Sequence, residues 1–190
     1  MKKLLLLPLA LILFAAPMAD DLLVEGFEGG NMPPMGWDVW DLEPDSAYWG
    51  VDSGGAHSGT YYAYCATSYG IDSWLVTPTM DMSGYENLSF SCWYMECSSG
   101  SFTGIYVMGS DVLSPGPGDF VEVGEVGAPP GSWTERTVDA SAFDGASDVT
   151  FAIRCVYGSG RCTHFDDISV TADVNAVESA SLGEIKAIYR

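Results

Sequence analysis

The chain has 190 residues and carries 26 Asp+Glu against 7 Lys+Arg, for a formal net charge of −19. So acidic a surface repels nucleic acid and anionic lipid, which argues against both as partners. Aromatic residues make up 13% of the sequence, too many for a disordered acidic tail, and the length suits one domain with a sizeable core.

The first element is a leader. Met1-Lys2-Lys3 precedes an apolar run from Leu4 to Phe14, and Ala15-Ala16-Pro17-Met18-Ala19 supplies a small-residue exit. A basic start, a short apolar run and small residues at the end describe a secretory signal peptide, with cleavage expected after Ala19. The run is shorter than the roughly 20 apolar residues a membrane span needs, and no other stretch reaches that length. The sequence therefore predicts a secreted or cell-surface protein without a membrane span.

Short alternating runs split by Gly, Pro, Ser and Asp follow. Leu22–Phe27, Thr60–Thr67, Ser73–Pro78, Asn87–Met95 and Gly104–Gly109 each read as a strand. So do Asp119–Val126, Ser132–Ser141, Asp148–Tyr157 and Thr163–Ala172. Alternation is clearest at Leu88-Phe90-Cys92 and Val149-Phe151-Ile153-Cys155. Without crossover helices, such strands form an all-β antiparallel sandwich of jelly-roll topology. The stretch Asn31–Gly55, rich in Trp and Asp, reads as one long loop that must be functional or held by a metal. The domain is expected over 20–172.

The residues 173–190 lose this pattern. They read as an irregular tail, disordered or loosely docked. Their end also looks like the Trp-Gly-x-Ile-Lys-x-x-Tyr-Arg sorting signals of some secreted bacterial proteins, with Leu182 replacing the Trp.

Five cysteines in an exported chain imply at least one disulfide. Cys155 and Cys162 flank a Gly-Ser-Gly centre that reads as a hairpin turn, which makes them the preferred pair. Cys92 and Cys97 could close a short loop, leaving Cys65 as a buried thiol. No CxxC pair points to zinc.

Four segments carry a family resemblance: GFEGGNMPPMGW (Gly26–Trp37), AHSGTYYA (Ala56–Ala63), DSWLVTPTMDMSG (Asp72–Gly84) with Leu88–Phe90, and FDDISV (Phe165–Val170). In this order they resemble the cleaved-adhesin, or choice-of-anchor J, family of jelly rolls. That family is related in design to MAM domains and calcium-bearing carbohydrate-binding modules. The resemblance implies a structural Ca2+ held by Glu28, the Gly26 carbonyl, Asp52, the His57 carbonyl and Asp166. Calcium takes oxygen ligands, and carboxylates crowded at a sheet end repel unless a cation intervenes. Strand parity from Ile168 and Val170 turns Asp166 inward and Asp167 outward.

No nucleophile–His pairing, phosphate loop or dinucleotide fingerprint is present, so no catalytic residue is assigned. An exposed Trp93 and Tyr106 on one sheet would offer a platform for sugar rings or another protein. The alternative is that the Asn31–Gly55 loop covers them with its own Trp37, Trp40, Tyr48 and Trp49. The expected function is a non-catalytic module binding extracellular glycan or protein. The alternatives are an assembly subunit of a surface layer or fibre, and an accessory domain of a secreted protease or glycosidase.

Overall fold

A computed structural model describes residues 19–42, 47–67, 70–98 and 100–175. The leader and nearly all of the tail lie outside the described residues. Two antiparallel sheets face each other. The first has the order β3 (Ala47–Ser53), β4 (Tyr61–Thr67), β11 (Cys162–Val174), β6 (Tyr85–Ser98) and β9 (Thr134–Asp139), with β1 (Asp20–Glu25) also on β11. The second has the order β2 (Asp38–Asp41), β5 (Ile71–Val76), β10 (Thr150–Tyr157), β7 (Phe102–Ser110) and β8 (Val121–Glu125). The protein is an antiparallel β-sandwich of jelly-roll topology, as the alternating pattern predicts. Among the described residues, no helix is long and apolar enough to cross a membrane.

Alternation fills the core. Leu88, Phe90, Cys92 and Tyr94 of β6 point inward and meet Ile105, Val107, Phe151 and Ile153 from the other sheet. Phe90 and Phe151 bring their ring centroids to 5.8 Å across the sandwich. The outer face of the second sheet carries its own apolar layer, where Trp74, Val76, Met108, Phe120 and Ala152 pack with Trp40 and Tyr106.

Three expectations change. The expected Asn31–Gly55 loop contains β2 and β3, which form one edge of each sheet. Their strand signal is weak because Asp, Glu and Pro interrupt it. Trp37 and Trp49 from this stretch are buried in the main core, rather than lying over an outer face.

The expected disulfides are replaced by a single bridge, Cys97–Cys162, with Cα atoms 5.3 Å apart. Cys155 does not bridge Cys162: the turn between them is no hairpin, Cys155 faces the core between the sheets, and Cys162 faces outward and is bonded to Cys97. Cys92 and Cys97 lie on one continuous strand, at odd spacing, so one faces the core and the other solvent. Cys65 is a buried thiol, as expected, and Cys92 and Cys155 join it.

Trp93 and Tyr106 do not share a platform either. Trp93 is on β6 and Tyr106 on β7, so they lie on the outer faces of opposite sheets.

Candidate functional site

Strand β11 is 13 residues long, and two different strands flank one of its edges. Strand β4 pairs with its first part, from Cys162 to Phe165, and β1 with its later part, from Ile168 to Ala172. Asp166 and Asp167 occupy the gap between them. They are mid-strand residues. A bulge lies between Asp166 and Ser169, and Asp167 takes a left-handed φ of 43°. The bulge adds a residue, so Phe165 and Ile168 both face the core despite their odd spacing. Simple parity fails there. Asp166 pairs with the outward Trp93 yet is 0% exposed, because the turn before β4 closes over it.

That turn supplies the donors. The backbone N–H groups of His57 and Ser58 donate to Asp166 Oδ2 at 2.8 and 3.1 Å. Asp167 N–H donates to Asp166 Oδ1. Desolvation pushes the Asp166 carboxyl above the usual carboxylate range, and the Ser58, Asp167 and His57 N–H groups partly offset it. Thr60 and Tyr61 N–H groups donate to Glu28 Oε1 at 2.8 and 2.9 Å, which holds Glu28 below its ordinary value.

The chain leaving β1 is shaped for the same spot. Phe27 adopts a left-handed φ of 59° while its ring sits in the core, and its N–H donates to Glu25 Oε1 at 2.6 Å. Gly26 leaves room for the acids: a Cβ there would stand 3.4 Å from Asp167 Oδ1 and 4.0 Å from Asp166 Oδ1. A Cβ on Gly59 would run into the Glu28 carboxylate. Gly26, Glu28, the His57 turn and Asp166 are therefore brought together, with Glu25 and Asp167 beside them.

Asp52 stands elsewhere. It pairs with Tyr62 on the outer face and raises the phenol pKa values of Tyr62 and Tyr64 alongside their burial. It belongs to a different site.

The acids' donor set is hard oxygen without a Lys or Arg partner among the described residues, which fits calcium chemically. Among the described residues, these carboxylates do not bring three oxygens within 4.8 Å of one another, so backbone carbonyls and water would complete any shell. One cluster does meet that distance, Cys97, Cys162 and His164, but its two sulfurs are bonded to each other and are not free metal ligands.

A second feature lies on the outer face of the first sheet. A cavity of about 470 Å³ is lined by Tyr48, Asp52, Tyr64, Arg161, His164 and the Cys97–Cys162 bridge. Tyr48, 56% exposed, meets Tyr64 edge-on with centroids 5.6 Å apart. The Tyr64 ring crosses Gly50, where a Cβ would collide with it. Next to them, Tyr62 and His164 pack at 4.4 Å, and Trp133 lies against both. Trp133 Nε1 donates to the Gly55 carbonyl. The row ends where His57 stacks flat on Trp93, with centroids 3.6 Å apart.

Arg161 is anchored by an ion pair to Glu96 at 2.9 Å, but its buried Nε has no partner among the described residues. Tyr106, by contrast, packs into the apolar layer of the other sheet. The sequence reading missed Tyr62, Tyr64, Trp133, His164 and Arg161. Outward parity of Tyr62 and Tyr64, opposite to Ala63 and Cys65, was the available signal.

Neither a family model nor a curated protein matches the sequence. Solved structures do. The K2 cleaved adhesin domain of Lys-gingipain superposes with a TM-score of 0.63 at 21% identity, covering 82% of this chain and 100% of that one. A family-61 carbohydrate-binding module in complex with β-1,4-galactotriose gives 0.56 at 15%, covering 77% and 93%. The CBM22-1 xylan-binding domain from Paenibacillus barcinonensis gives 0.56 at 15%, covering 84% and 99%. At such identities the likeness is one of fold: this chain has the β-sandwich of cleaved adhesin domains and carbohydrate-binding modules.

Proposed function

We propose that this protein is an exported, non-catalytic module that binds glycan along the outer face of its six-stranded sheet. The observation that carries this reading is the aromatic row from Tyr48 and Tyr64 through Tyr62, His164 and Trp133, bordering an open cavity. Sugar rings present apolar faces that stack on aromatic side chains, while their hydroxyls take hydrogen bonds from flanking polar groups. Asp52 accepts such bonds, and the Tyr48 and Tyr64 hydroxyls donate them. Similar folds that carry galactotriose or bind xylan support the ligand class. The leader Met1–Ala19 supports export.

Structural calcium belongs to the same reading. Glu28, Asp166 and Asp167 would hold it, with carbonyls of the Gly26 and His57 turns. The ion would neutralise acids that otherwise repel and would tie β1, the His57 turn and β11 together. Calorimetric titration with β-1,4-galactan and xylan oligosaccharides tests the binding role. Saturable heat that vanishes in Tyr64→Ala is the expected result; no heat with any neutral polysaccharide overturns it.

A further inference from the structure

Cys65 and Cys155 face each other across the sandwich. Cys65 is on β4 of the first sheet, Cys155 on β10 of the second, and both are 0% exposed. The two thiols lie close together in the core, where burial first and the neighbouring Cys155 thiol second push the Cys65 thiol up. An independent contact confirms the level at which they do so. The Tyr157 hydroxyl, two residues after Cys155 on the same face, donates to Thr163 Oγ1 at 2.8 Å and lies 3.2 Å from Cys155 Sγ. Thr163 is the strand partner of Cys65.

Cys92 is placed differently. Thr163 pairs with Cys65 on one side and with Glu96 on the other, so Cys92 lies further along β6 and on the far side of β11. Two strand spacings, about 9.6 Å, separate β4 from β6, beyond any bridge between Cys65 and Cys92.

We infer that Cys65 and Cys155 are joined by an inter-sheet disulfide in the mature exported protein, leaving Cys92 as the odd thiol. This rests on the export reading. Two S–H bonds break and one S–S bond forms. A disulfide of an exported thiol–disulfide exchange protein accepts the two electrons and two protons and leaves as a dithiol. The pair is sealed in the core once folding ends, so the exchange precedes closure of the two sheets.

The test is a disulfide map of full-length protein collected after export, without reductant and alkylated in denaturant. Expected are a cross-linked Cys65–Cys155 peptide, the Cys97–Cys162 bridge, and alkylation at Cys92 alone. Alkylated Cys65 and Cys155 in protein that retains the Cys97–Cys162 bridge would overturn the inference and spare export. A Cys92–Cys155 bridge would also overturn it. Alkylation at every cysteine would overturn both, locating the failure in the export reading. A second measurement uses the Cys97→Ser/Cys162→Ser double variant: reductant should still lower its Tm, and an unchanged melt would count against the buried bridge.

Discussion

The His57 imidazole lies flat on the Trp93 indole, with centroids 3.6 Å apart and planes 13° from parallel. Its Nδ1 meanwhile sits 2.6 Å from Asp167 Oδ2. One side chain thus joins the acid cluster to the outer face of the sheet. Trp93→Ala should cost about 1–3 kcal/mol of stability, since the packing of the half-buried indole is removed and the His57 ring and its turn lose their support. The denaturation midpoint reads this, and a change within a few tenths of a kcal/mol would show that the stack contributes nothing.

Calcium should raise Tm and a chelator should lower it. Glu28→Gln should remove most of that difference, because the amide keeps the shape but loses the charge. Asp166→Asn is a harsher change. Both Asp166 oxygens accept backbone N–H donors, and an amide NH2 cannot, so the variant should lose about 1–3 kcal/mol even without the ion. Identical melts in calcium and chelator would dispose of the metal.

Within the groove, Tyr64→Ala and His164→Ala should each weaken glycan binding by about tenfold or more, equivalent to roughly 1.4 kcal/mol. Tyr106→Ala, on the opposite sheet, should leave affinity unchanged. Gly50→Ala should weaken binding without removing any contact group, because the new methyl displaces the Tyr64 ring. Equal affinities across the four variants, measured by calorimetry, would place the ligand elsewhere.

Burial depresses the His164 pKa, with Asp52 partly opposing the shift. The folded state therefore holds His164 neutral where the unfolded chain would take up a proton. Stability from this group is fully present above its ordinary value of 6.5 and is lost as pH falls through the lower folded pKa. Melts between pH 7.5 and 5.5 should show a loss that His164→Gln reduces. An equal slope in both proteins would count against it.

The sequence by itself determined the all-β class and nearly every strand, because side chains alternating between core and solvent write their period directly into the chain. Glu28, the His57 turn and Asp166 were marked by the family resemblance of their short motifs, not by periodicity. The sequence could not determine which strands become neighbours. Only the tertiary structure decided that Cys97 meets Cys162, that Trp93 and Tyr106 lie on opposite sheets, and that Asp52 joins the groove. The bulge at Asp166–Asp167 defeated parity for a related reason: one inserted residue changes the facing of all that precede it, and it forms in the gap that β1 and β4 leave on β11. Pairing and register are relations between segments distant along the chain, and no local pattern records them.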